Sequence, residues 1–306
     1  MKLLLSQPRG FCAGVVRAIE IVEKALELWG APIYVKHEIV HNRHVVSRLE
    51  NMGAVFIEDL NSVPKGSRII YSAHGVSPAV RAEAKQLGLI EIDATCGLVT
   101  KVHSAAKRYA LKGYHIILIG HKSHVEVIGT AGEAPDQTTI VENRADVEAL
   151  KFPQSTPLFY LTQTTLSIDD VSDVVAALVE KYPKIETLPS SSICYATTNR
   201  QMALREIVED CDLVLVIGDI TSSNSNRLCE VALTRNTPAY LINGPDEIDP
   251  SWFENVETIG LSAGASTPEN VVQYCIQAIE KFGIDTIENV VFAVEDVVFQ
   301  LPKLLT

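Results

Sequence analysis

Short apolar runs alternate along this chain with longer stretches in which apolar residues recur every three or four positions. Lys2-Leu3-Leu4-Leu5 predicts a buried strand, and Val15, Ala18, Ile19, Val22, Leu26 and Trp29 predict a helix that Gly30 and Pro32 stop. Pro32 to Arg43 reads as a strand running into a polar loop, followed by a helix carrying Val45, Val46 and Leu49. Ala54–Ile57 and Arg68–Tyr71 read as strands, and Ser77 with Pro78 marks a capped helix start. Ile90–Asp93 and His115–Ile119 are further strands, the latter opening into a loop over Gly120–Thr130. Phe159–Leu161 leads into Thr162–Thr165, and Ser167 caps a helix carrying Val171, Val174, Val175 and Leu178. Leu213–Ile217 is continuously apolar, as in a parallel sheet, and ends in a polar loop over Gly218–Arg227. Thr258–Leu261 ends in Ser262–Thr267, with Pro268 starting a helix. From Ile284 onward, Val290–Phe292 and Val297–Phe299 read as strands that return to pack on the body. This alternation predicts an α/β protein whose loops gather at the carboxyl edges of parallel sheets, where ligands bind.

Composition narrows the partners. A net charge of −12 with no Lys/Arg run argues against nucleic acid and against an anionic membrane surface, so an anionic substrate must be held by local groups. No apolar stretch approaches the roughly 20 residues of a membrane helix. The opening Met1–Leu5 run is cut short by Gln7-Pro8-Arg9-Gly10, too early for a signal peptide. The expectation is a cytoplasmic protein whose six cysteines are not disulfides.

Three of those cysteines stand where a strand hands over, through a short turn, to a helix. Cys12 lies in Ser6–Val15, Cys96 in Ile90–Val102, and Cys194 in Ser190–Gln201, the last preceded by only a weak strand. The intervals are each about the length of a small domain. They predict α/β domains over 1–95, 96–190 and 191–282, with a tail over 283–306 packing back, and three thiolates facing a common centre. Cys211, Cys229 and Cys275 sit among apolar neighbours and read as packing residues. Zinc, a lone thiolate nucleophile and an iron–sulfur cluster are the three readings of the other set. The absence of a C-x-x-C pair weighs against zinc, and a lone nucleophile leaves two cysteines unexplained. A cubane held by three thiolates, with one iron left for substrate, fits best.

The loops also carry His41, His74, His124, Glu126, Thr164, Ser222, Ser223, Asn224 and Ser266. Imidazoles, hydroxyls and an amide at helix starts suit a phosphate or diphosphate, although Ser, Thr and Asn also cap helices without any ligand. Glu126, two residues from His124, can carry a proton. His37, His44, His103, His115 and His121 read as ordinary polar or packing residues.

Taken together, the stretches Pro8–Val15, Val40–Arg43, Ser72–Val76, Asp93–Cys96, Thr162–Ser167, Ile193–Gln201, Ser222–Arg227 and Ala263–Ser266 resemble the LytB/IspH family of 4-hydroxy-3-methylbut-2-enyl diphosphate reductases. The resemblance implies three similar α/β domains in a pseudo-threefold trefoil around a central 4Fe–4S cluster held by Cys12, Cys96 and Cys194, with one open iron. It implies reductive removal of an allylic hydroxyl, with two electrons and two protons, to give isopentenyl and dimethylallyl diphosphate. By the same likeness His41, His74, His124, Ser222, Ser223, Asn224 and Ser266 hold the diphosphate, Glu126 and Thr164 deliver a proton with help from His124, and ferredoxin or flavodoxin supplies electrons. The chain departs from the family pattern at Gly97 and Val125, where Pro is usual, which implies less rigid loops there. A metal phosphohydrolase using the same residues and a non-catalytic iron–sulfur sensor are the competing readings.

Overall fold

The computed structural model describes residues 1–190 and 192–305; Ser191, in the third cysteine stretch, and Thr306 lie outside the described residues. In chain order, β1 (Lys2–Gln7), α1 (Ala13–Trp29), β2 (Ile33–Lys36), α2 (Arg43–Asn51), β3 (Ala54–Ile57), β4 (Arg68–Tyr71), α3 (Pro78–Gln86) and β5 (Ile90–Asp93) come first. Next are α4 (Gly97–Leu111), β6 (His115–Ile119), α5 (Val125–Ala131), β7 (Thr138–Val141), α6 (Arg144–Ala149), β8 (Leu158–Thr162) and α7 (Ile168–Lys181). The remainder is α8 (Tyr195–Val208), β9 (Leu213–Ile217), α9 (Ser223–Leu233), β10 (Ala239–Ile242), β11 (Thr258–Ala263), α10 (Glu269–Glu280) and β12 (Thr286–Val291). Among the described residues no helix is long and apolar enough to cross a membrane.

The strands form three sheets in which every pair is parallel, ordered β10-β9-β11-β1-β12, β3-β2-β4-β5 and β7-β6-β8. This is the α/β architecture that the alternating pattern predicts. Each sheet contains a point where successive connections leave in opposite directions: between β9 and β11, between β2 and β4, and between β6 and β8. At such points the loops after neighbouring strands diverge and leave a crevice for a ligand.

The chain divides into two compact units. One comprises Met1–Val16, His41–Val46 and Tyr195–Val298 and holds the five-stranded sheet; the other comprises Arg17–Val40, Ser47–Cys194 and Phe299 onward and holds the two smaller sheets. In the first, all five residues of β9 are buried, and Leu213, Leu215 and Ile217 pack with Val272, Cys275 and Ile279 of α10. Each such aliphatic side chain contributes about 1.5–3 kcal/mol on burial. In the second, Ile116 and Leu118 pack against Val102 and Ala106 of α4, while Ile117 and Ile119 face Val174 and Leu178 of α7.

Several elements differ from the sequence reading. The opening strand β1 pairs with β11 and β12, so the start of the chain joins the sheet that the C-terminal third builds, not the sheet of residues 33–93. Local patterning cannot reveal that pairing, because strand partners are set by tertiary contacts. Val290 and Val291 do lie in β12, but Val297–Phe299 forms no strand. The loops over 120–130 and 218–227 are shorter than expected, because α5 and α9 begin inside them at Val125 and Ser223. The strands β7 and β10 and the helix α6 escaped the reading; each is only four to six residues long. Where the weak strand before Cys194 is expected, the described residues show an isolated bridge, Phe159 to Glu186.

Candidate functional site

All three cysteines of the predicted set occupy the same local position. Cys12, Cys96 and Cys194 each stand immediately before a helix, α1, α4 and α8 respectively, and each is half-buried. The carbonyls of Cys12 and Cys96 already accept from Val16 N and Thr100 N in the first turn. The other three are different. Cys211, Cys229 and Cys275 have their thiols pushed up to about 12 by burial, so they stay protonated and pack as small hydrophobes.

In the unit of the five-stranded sheet, the Cys12 turn is pinned to the end of β11 and the loop that follows: Gly10 N donates to Ala263 O at 3.2 Å and Cys12 N to Ala265 O at 3.1 Å. The same loop carries Ser266, whose hydroxyl donates to His41 O at 2.9 Å and so fixes the backbone that presents His41. Asn42, 1 % exposed, caps α2 by accepting from His44 N and Val45 N. Asp219 completes the frame: its carboxylate accepts from Arg43 N, Thr221 N and the Thr221 hydroxyl. Burial pulls the Asp219 pKa upward, but those hydrogen bonds outweigh it and hold the group below its ordinary 3.8. A depressed carboxyl stabilises the fold above 3.8 and loses that contribution as pH falls through its folded value. Asp219→Asn is therefore expected to lower the melting temperature at neutral pH, with the gap to the parent closing in titrations taken well below pH 3.8.

Ser222 caps α9 by accepting from Ser225 N, and the buried Ser225 hydroxyl donates to Ser222 Oγ at 3.0 Å. Ser225 fits there because its neighbours are glycines: a Cβ at Gly218 or Gly264 would lie 2.2 or 2.0 Å from Ser225 Oγ. The ends of β9 and β11 thus approach closely around one small hydroxyl. Ser223 opens α9 and is half-buried, and Asn224 beside it is 5 % exposed. Among the described residues neither the Nδ2 nor the Oδ1 of Asn224 has a hydrogen-bond partner. Leaving such a group unpaired costs about 1–3 kcal/mol, a cost that a polar ligand removes. Asn224→Ala is expected to keep or slightly raise the thermal stability of the ligand-free protein, read by scanning calorimetry.

In the other unit, β5 ends at Asp93, which accepts from Thr95 N and from Arg81 Nη2, while Arg17 Nη1 donates to Thr95 O. Cys96 N donates to Ala73 O, tying its turn to the segment that carries His74. Gly97 replaces the expected Pro for a visible reason: a Cβ there would lie 3.2 Å from the Phe299 ring, so the C-terminal segment occupies that space. The second departure, Val125, is offset by His124, whose Nδ1 accepts from Glu126 N and caps α5. With Nδ1 accepting, the neutral ring carries its proton on Nε2. The His124 ring lies 6.0 Å from that of His74, and the Ser72 hydroxyl lies 3.2 Å from His74 Nδ1. His37, read from sequence as ordinary, also belongs to this cluster, with its ring 5.9 Å from His74.

Glu126 is 2 % exposed and Thr164 4 %. Both carboxylate oxygens accept from that one residue, Oε1 from Thr164 N at 2.6 Å and Oε2 from the Thr164 hydroxyl at 2.9 Å. The carbonyl of Thr164 in turn accepts from Cys194 N at 3.0 Å. An acid, a hydroxyl and a cysteine turn are thus joined in one hydrogen-bonded run, built from the diverging loops after β6 and β8. The structure therefore gathers His74, His124, Glu126, Thr164 and the Cys194 turn in one unit. It gathers the Cys12 turn, the His41 backbone and Ser266, together with the Ser222–Asn224 segment, in the other.

The family profile described as LytB protein matches residues 3–280. Curated relatives include the 4-hydroxy-3-methylbut-2-enyl diphosphate reductases of Protochlamydia amoebophila, 69 % identical over 99 % of this chain and 97 % of that protein, and of Chlamydia pneumoniae, 65 % identical over 99 % and 98 %. Among solved structures, the E-1-hydroxy-2-methyl-but-2-enyl-4-diphosphate reductase of Plasmodium falciparum superposes with a TM-score of 0.97 at 52 % identity, covering all of this chain and 96 % of that one.

Proposed function

The chain belongs to the LytB protein family, and from that premise we propose that it reduces (E)-4-hydroxy-3-methylbut-2-enyl diphosphate to isopentenyl and dimethylallyl diphosphate, the last step of the non-mevalonate isoprenoid pathway. It is an oxidoreductase: two electrons and two protons enter, the allylic C–O bond breaks, and water leaves. The proposed cofactor is a 4Fe–4S cluster held by Cys12, Cys96 and Cys194, reduced by a ferredoxin or flavodoxin. The donor set suits iron and sulfide, since each of the three is a half-buried cysteine, outside any disulfide, directly before a helix. When bound, such a cluster supplies electrons one at a time and a Lewis-acidic iron at the corner no cysteine holds.

The protein's own residues do the rest. His41, His74, His124, Ser222, Ser223, Asn224 and Ser266 hold the diphosphate, which supplies binding energy remote from the reacting carbon. Hydroxide is a poor leaving group, so it must depart as water, and Glu126 with Thr164 delivers the proton, His124 assisting. What supports this reading most is the hydrogen-bonded run that joins the Glu126 carboxylate, the Thr164 hydroxyl and the Cys194 turn, the groups proposed as acid, relay and sulfur ligand. The test is anaerobic purification followed by iron and acid-labile sulfide analysis, with turnover under a chemical reductant. About four irons and four sulfides per chain, with both isoprenoid products, are expected. Zinc without labile sulfide would overturn the assignment.

A further inference from the structure

Arg200, in α8, has no exposed surface, and every nitrogen of its guanidinium is engaged. Nη1 donates to both carboxylate oxygens of Glu295, at 3.0 and 3.2 Å, and to Ala196 O at 2.9 Å. Nε and Nη2 both donate to Gly10 O, at 3.1 and 2.7 Å, and Nη2 also reaches Phe11 O at 3.4 Å. Asn199 Nδ2 also donates to Glu295 Oε1, at 3.0 Å. Burying an ion pair gives little net stability, and an apolar side chain of similar volume would serve packing as well. What the pair does supply is geometry, because the carbonyls it grips are those of the two residues just before Cys12.

The amides of the same turn are held by the end of β11 and the loop that follows, through Gly10 N to Ala263 O and Cys12 N to Ala265 O. The backbone entering Cys12 is therefore held at both its carbonyls and its amides. Glu295 neutralises the guanidinium, so the clamp adds no net cation beside the thiolate.

We infer that Arg200, anchored by Glu295, is a positioning residue for Cys12: it fixes the turn over residues 10–12 so that the thiolate is presented in one orientation before any cluster arrives. The inference rests on the proposed role of Cys12 as a ligand and deepens it. Ligands held in place before binding spare the site the ordering cost that a mobile turn would pay.

The test uses the full chain in its cluster-free form, alkylated anaerobically with iodoacetamide and read by mass spectrometry at each cysteine. Arg200→Gln and Arg200→Lys are expected to speed alkylation of Cys12 by about threefold or more as the turn opens, with Cys96 and Cys194 unchanged. Iron and sulfide bound on reconstitution should fall in parallel. Glu295→Gln, which keeps the shape of the anchor but not its charge, should act in the same direction and carries the test if the Arg200 variants do not fold. Equal acceleration at all three cysteines would reduce Arg200 to a general stabiliser and overturn the inference, as would an unchanged Cys12 rate in a folded variant. Because the readout is a thiol rate in cluster-free protein, it stands even if iron and sulfide analysis refutes the proposed reaction.

Discussion

Glu126→Gln is expected to slow turnover by roughly 10²–10⁴-fold, the usual worth of a positioned general acid, with the diphosphate still bound near its normal affinity. The substitution is nearly isosteric, so the buried space around residue 126 stays filled, and Thr164 N can still donate to the amide oxygen. Two things change. Gln has no proton to give, and its NH2 group now faces the Thr164 hydroxyl, which must turn from donor to acceptor. The proposed proton path would therefore be cut at its source and reversed at its first relay. Thr164→Val removes the relay but keeps the backbone N–H bond to Glu126, so its loss should be smaller. Combining the two should cost little more than Glu126→Gln alone, because they serve one path. Steady-state kinetics with a chemical reductant separates the effects: kcat falls and KM holds if the assignment is right. An unchanged kcat in Glu126→Gln would remove Glu126 from the chemistry.

Much of this arrangement was legible in sequence because it is local. Strand, turn and helix start are neighbours along the chain, so the positions of Cys12 and Cys96 before α1 and α4 follow from Leu3–Leu5, Ile90–Asp93 and the apolar spacing beyond them. Ser77 and Ser167 act as caps, accepting from Val80 N and Asp170 N, because a hydroxyl before a helix meets its first unpaired amides. The residues that escaped act at a distance in sequence. Arg200 grips carbonyls 190 and 189 residues away, and Asp219 accepts from an amide 176 residues away. No periodicity encodes such pairings. Ser225 and its two glycines were likewise invisible, since the need for a small hydroxyl appears only when β9 and β11 lie side by side. The Gly97 departure looked like a loss of rigidity in sequence, yet the structure fills that space with Phe299, a residue 202 positions later.

Cys12→Ser, Cys96→Ser and Cys194→Ser should each lower bound iron and labile sulfide by more than about tenfold and abolish turnover, whereas Cys211→Ser, Cys229→Ser and Cys275→Ser should retain both. The contrast follows from the setting of each sulfur. The first three are half-buried at helix starts, and sulfur is a soft donor that a serine hydroxyl cannot replace near neutral pH. The other three have thiols pushed up to about 12 by burial, so they offer no thiolate to a metal at neutral pH. Cys211 also spends its S–H on Ile207 O, and Cys275, on α10, lies wholly inside the core, where Ser would bring an unwanted hydroxyl and a lower melting temperature. Stability and cluster content should therefore move in opposite patterns: the helix-start set loses inorganic ions with a little-changed cluster-free fold, and Cys275→Ser loses stability with its cluster intact. Full retention of iron and sulfide in any one of Cys12→Ser, Cys96→Ser or Cys194→Ser would break the proposed ligand set, and loss in Cys275→Ser without unfolding would show that a buried thiol had been wrongly set aside.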